Sequence, residues 1–75
     1  DVLAIWRHIA HDDERAADRF VDRLIAQMRR LGENPYIGRA RPELRPRYRS
    51  FPVGSYLIFY DVQTPGVRIL HVVHG

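Results

Sequence analysis

The spacing of apolar residues along the chain changes from a helical period to a strand period. Val2, Ile5, Trp6 and Ile9 fall at i, i+3, i+4 and i+7, which predicts a helix over 1–11 with one apolar face. Asp12-Asp13 interrupts that pattern and supplies an N-cap for a second helix, with Glu14 in its first turn complementing the dipole. Ala17, Phe20, Val21, Leu24, Ile25, Met28 and Leu31 form the next stripe and predict a helix over 14–31. Gly32 is placed just past its end, and Pro35 stops any continuation. The opposite face carries Glu14, Asp18 and Asp22 in one row and Arg15, Arg19 and Arg23 in the next, which reads as a solvated, self-pairing face. A short link makes the two helices an antiparallel hairpin.

After the loop 34–46, stiffened by three prolines and a glycine, the period falls to two. Strands are predicted over 47–53, 56–62 and 67–73, with Gly54 and Thr64-Pro65-Gly66 in the turns. Tyr56, Ile58, Tyr60 and Val62 share one face of the middle strand, and Leu57 and Phe59 the other, so that strand is central. Pro52 lacks an N–H, which places the first strand at an edge or gives it a bulge. The fold class is therefore α+β: one domain over 1–75, an N-terminal helical hairpin packed on a three-stranded antiparallel sheet. Ile5, Trp6, Ile9, Phe20, Leu24 and Met28 are expected to meet Leu57, Phe59, Leu70 and Val72. The set Tyr56, Ile58, Tyr60, Ile69 and Val73 is the equally apolar alternative.

Composition changes this picture in two ways. The absence of cysteine removes disulfides and thiolate zinc sites and fits a reducing, cytoplasmic setting. No apolar run approaches the roughly 18 residues of a membrane span, and the chain opens directly on an amphipathic pattern with no signal peptide. With no initiator Met, the sequence is expected to start inside a longer chain. Charge is the second change. All 12 basic residues are arginine, and the net charge of +3 is unevenly spread. Residues 1–31 balance six acids against six arginines, whereas 32–75 carry three acids against six arginines. The planar guanidinium fork suits carboxylates and phosphates, so the basic half points to an acidic protein partner or a nucleic acid.

Arg41, Arg45, Arg47, Arg49 and Arg68, with His74 at the strand end beside them, are the candidate target- or partner-binding residues. Arginine binds and positions but cannot take a proton. His74 is the one imidazole among them, so it is either a general acid–base or a surface histidine. His71 is expected to be packed. His8 and His11 stand at i, i+3 but lack a third ligand at fixed spacing, so no metal is expected, nor any cofactor.

The segments DVLAIWRHIA, AADRFVDRLIAQMRRLGENPYIGRARPEL, LRPRYRSFPVGSYLIFYDV and VRILHVVHG, in this order, resemble the ParE branch of the ParE/RelE toxin superfamily. These are toxins of type II toxin–antitoxin, or plasmid-stabilisation, modules of bacteria. NPYIGRARPEL, FPVGSYLIFY and the terminal ILHVVHG are the most specific parts. The resemblance implies a helical hairpin on an antiparallel sheet, with an N-terminal strand ahead of Asp1 and a short basic tail after Gly75. It also implies a non-enzymatic protein that binds DNA gyrase and is neutralised by an acidic, ParD-like antitoxin in a hetero-oligomer. RelE-like members instead cut messenger RNA on the ribosome, using lysines, arginines and a C-terminal tyrosine or histidine. This chain has no lysine, and Leu57 stands where RelE-like members often carry a phosphate-binding arginine. His74 with Arg47, Arg49 and Arg68 is the set that a ribonuclease reading would use, and an inactive antitoxin-binding remnant is a third reading.

Overall fold

The helical stripes fold as α1 (Val2–Ala10) and α2 (Glu14–Glu33) in a computed structural model that describes residues 2–75. Asp1, expected to open the first helix, lies outside the described residues. Asp13 caps α2 as the sequence predicts: it is extended, with φ −157°, and its side chain accepts the Ala16 N–H at 3.1 Å. The far end differs. α2 continues through Gly32 to Glu33 and closes at Asn34, whose N–H donates to the Arg30 carbonyl at 2.9 Å. Glycine costs a helix only about 1 kcal/mol, so the Asn34 bond and the packing of Leu31 outweigh it.

Four strands follow: β1 (Arg39–Ala40), β2 (Tyr48–Val53), β3 (Tyr56–Val62) and β4 (Val67–His74). They form an antiparallel sheet in the order β1-β2-β3-β4. The fold class is the α+β hairpin-on-sheet expected, with β3 central, and the loop adds the two-residue strand β1. That strand pairs only with Arg49 and Ser50, so β2 is an edge at Pro52, where the missing N–H costs nothing. Gly54 and Gly66 take the turns at positive φ, 57° and 84°.

The sheet face covered by the hairpin is the alternative one. Tyr56, Ile58 and Tyr60, with Val53, are buried against Ile5, Leu24 and Leu31. Leu57 and Phe59 lie on the outer face, half-buried. Leu70 does not reach the core either. Phe59 pairs with His71 and Tyr60 with Ile69, so Leu70 is the extra residue of a β-bulge. The bulge reverses the alternation of β4. Val67 and Ile69 face the helices before it and Val72 after it, while His71 and Val73 turn outward. His71 is accordingly exposed rather than packed. Trp6 also leaves the expected interface. Its indole N–H donates to the Asp18 carboxylate at 2.8 Å and ties α1 to α2.

Leu24 and Ile25 are neighbours in one apolar stripe with opposite fates. Leu24 is fully buried and Ile25 is 38% exposed. Leu24→Ala is expected to cost about 2–5 kcal/mol, and Ile25→Ala under about 1 kcal/mol. Chemical denaturation of the two variants beside the parent measures the difference.

Candidate functional site: the arginine face

The site begins with a buried phenol. Tyr60 sits on β3, fully buried, and its hydroxyl donates to the Pro35 carbonyl at 2.7 Å and accepts the Gly38 N–H at 3.0 Å. Burial pushes the Tyr60 phenol above its ordinary range, so the proton that makes the first bond is retained. Gly38 is required there. A Cβ would run into the Tyr60 hydroxyl and lie 2.8 Å from the Ser50 carbonyl oxygen. This tie lays residues 35–38 across the end of the sheet and brings β1 beside β2.

The predicted arginines then separate into three conditions. Arg49 is half-buried, and its Nη1 donates to the carbonyls of Gly38 at 2.6 Å and Tyr36 at 3.3 Å. The guanidinium stands 5.0 Å from the centre of the Tyr36 ring. Its partners are neutral, so its charge is uncompensated. Arg68 is the opposite case. It forks onto Asp61, with Nη2–Oδ2 at 2.7 Å and Nε–Oδ1 at 3.3 Å. The Arg68 hydrogen bond holds the Asp61 carboxyl below its ordinary range, and burial opposes that effect. Arg41 is tied on the outer face, its Nε donating to Ser50 Oγ at 2.8 Å and a terminal nitrogen 3.8 Å from Glu43. Arg45 and Arg47 are the third condition. Both are exposed, and among the described residues no hydrogen bond or ion pair reaches their side chains.

Arg45, Arg47, Tyr48, Asp61 and Arg68 line one cavity of about 400 Å³. Arg47 and Arg49 share another with Tyr36 and Thr64. Beside them, on the outer face, Leu44, Tyr48, Phe59, His71 and Val73 line an apolar hollow of about 160 Å³. The arginines therefore surround one end of the sheet.

His74 is not with them. It pairs with Tyr56, whereas Arg68 pairs with Asp61, five β3 residues away. At about 3.3 Å per residue that is roughly 16 Å. The expectation that His74 sits beside the arginines is thus corrected: the meander returns it to the far end of the sheet. Its ring meets that of Tyr56 instead, tilted by 49° with centres 4.9 Å apart, and that of His8, tilted by 53° with centres 5.8 Å apart. These rings line a cleft of about 450 Å³ with Asp12, Phe20 and Arg23. Sequence reasoning missed the pairing of His8 with His74, because no local spacing links α1 to the end of β4. Among the described residues no group of three or more metal-ligating side chains gathers.

A sequence profile described as "ParE toxin of type II toxin-antitoxin system, parDE" matches residues 1–75. The chain belongs to this ParE toxin family. A Mycobacterium tuberculosis protein named Toxin ParE1 is 41% identical over 59 residues, covering 73% of this chain and 60% of that relative. Toxin ParE3 of Caulobacter vibrioides is 28% identical over 76 residues, covering 100% of this chain and 76% of its own length. The chain thus spans only 60% of the length of its mycobacterial ParE relative. In this ParE chain Leu57 lies on the outer sheet face. It offers no charge to a phosphate there.

The Asp61–Arg68 pair makes a pH prediction. The Asp61 carboxyl is depressed in the folded chain, so its contribution to stability is present above the unfolded value of about 3.9 and is lost as pH falls through the lower folded value. Melting temperature is expected to fall across that acidic window. Asp61→Asn removes this part of the slope, as thermal melts from neutral pH downward would record.

Proposed function

We propose that this chain is the toxin of a type II toxin–antitoxin module, that it acts in the cytoplasm by binding DNA gyrase, and that it performs no covalent chemistry. Membership of the ParE toxin family supports the toxin reading. The observation that supports the non-enzymatic part is the separation of His74 across the sheet from Arg47, Arg49 and Arg68, the cations that the ribonuclease reading names, which leaves Arg23 as the arginine of its cleft. A nuclease needs a proton-transfer group beside the cations that hold the phosphate. On the arginine face there is tied and free positive charge, which serves docking. Among the described residues no helix is long and apolar enough to cross a membrane.

The neutralising partner is an acidic, partly disordered antitoxin that ends in an amphipathic helix. Arg45 and Arg47 beside the hollow of Leu44, Tyr48 and Phe59 offer charge next to apolar surface. β4, an edge strand, offers backbone groups for strand addition. A segment that folds on such a surface loses ordering entropy but covers a large area. A second reading, a ribosome-dependent ribonuclease, rests on the juxtaposition of His74 and His8, since two imidazoles could share acid and base roles.

Purified protein is expected to inhibit gyrase supercoiling, and Arg47→Lys with Arg49→Lys is expected to remove most of that inhibition in a folded chain. Lysine supplies the charge but not the fork. His74→Ala is expected to retain most toxicity, whereas loss of a general acid–base typically costs about 10²–10⁴ in rate. Codon-positioned cuts in a translated message, abolished by His74→Ala, would replace the gyrase reading with the nuclease one.

A further inference from the structure

The cavity shared by Tyr36, Arg47, Arg49 and Thr64 has a different character from the other arginine sites. It encloses about 240 Å³, and Pro46 and Val62 complete its wall. No carboxylate lines it, in contrast to the neighbouring cavity, where Asp61 neutralises Arg68. Two guanidiniums therefore face one small space without compensation. One of them is already fixed: both backbone bonds of Arg49 use Nη1, which leaves Nη2 and Nε without a partner among the described residues. The other, Arg47, is free to close.

We propose that this cavity binds the phosphate of a nucleotide, with Arg47 and Arg49 on the phosphate oxygens, the Thr64 hydroxyl donating a further bond, and the base against Tyr36. Three features select this chemistry. Two positive charges match a dianionic phosphate, whereas a single carboxylate is satisfied by one fork. A guanidinium held by neutral carbonyls is preorganised and keeps its full charge for the ligand. The cavity is below the roughly 300–1,000 Å³ of sites that enclose a whole drug-sized ligand, so the phosphate and part of the sugar enter while the base stays outside. Tyr36 is 70% exposed, and with Arg49 on one side its remaining ring surface is open to stacking. The phosphate could come from a free nucleotide, a dianionic monoester that the two charges match, or from a nucleic-acid strand, whose diester phosphates carry one charge each.

The test needs neither gyrase nor an antitoxin, so its outcome is independent of the toxin reading. The parent chain is titrated with inorganic phosphate, adenosine, adenosine 5′-monophosphate and a short oligothymidylate, followed by calorimetry and by NMR of arginine Nε–H groups. Saturable binding of the monophosphate is expected, with shifts at Arg47 and Arg49 and none at Arg15 or Arg19, and no binding of adenosine. Arg47→Gln is expected to weaken it by about tenfold or more, and Tyr36→Leu to weaken the monophosphate while leaving inorganic phosphate unchanged. Arg19→Gln, on the solvated face of α2, serves as the control and should bind as the parent does. Tighter binding of the oligonucleotide than of the monophosphate assigns the source to a strand, and the reverse assigns it to a free nucleotide. The proposal is overturned by absence of monophosphate binding, by equal affinity of parent and Arg47→Gln, or by shifts spread over all arginines. Displacement by acetate as effective as by phosphate overturns it too.

Discussion

The Tyr60 hydroxyl is the contact that fixes the loop beside the sheet in the arginine-rich half of this molecule. It reaches from the core strand β3 to the loop and meets both a carbonyl and an amide there, at Pro35 and Gly38. Each of those backbone groups, left unmet in a buried place, would cost about 1–3 kcal/mol. Around this point residues 35–40 and the Arg49 guanidinium are placed. Gly38 is pressed so closely against Tyr60 that no side chain fits. Its carbonyl then receives Arg49, and the residues that follow it become β1. A loop with three prolines cannot make regular ladders over its length, so a few well-directed bonds fix it instead.

Much of the scaffold is legible in the sequence because its signals are local. The Asp13 cap, the two helical stripes and the alternation of β3 each follow from a few adjacent residues. The choice of sheet face does not. Leu57 and Phe59 are as apolar as Ile58, and the decision rests on what Tyr60 reaches after the chain has turned back from α2. The bulge at Leu70 is equally silent. One extra residue moves Val72 inward and His71 outward, and no residue in the run VRILHVVH announces it. The arginine site is half legible for the same reason. That the arginines gather at one end of the sheet follows from their positions, but which are neutralised, tied or free depends on partners distant in sequence, such as Asp61 and Gly38.

These conditions support the proposed reading of the arginine face as a docking surface. Arg68 stiffens the β3–β4 end through Asp61, Arg41 spans the outer face, and Arg49 is held by backbone, so the cationic end of the sheet is largely rigid before any partner arrives. Preorganised charge of this kind favours recognition, since less is lost in ordering on binding. The His8–His74 pair stands at the opposite end, with His74 in tilted ring contact with Tyr56. In this family member the arginines at the sheet end and the His8–His74 pair are about a strand length apart, and Arg23 lines the cleft of the imidazoles.

Amide hydrogen exchange at Gly38, in the parent and in Tyr60→Phe, tests the dependence on Tyr60 most directly. In the parent the Gly38 N–H should be protected to a degree comparable with the β3 amides, because its acceptor is a fully buried hydroxyl. Tyr60→Phe keeps the ring and removes only the oxygen, so protection should be lost at Gly38 and kept at Ile58. A Gly38 amide that exchanges as slowly in the variant as in the parent would contradict the dependence of the arginine face on this one hydroxyl.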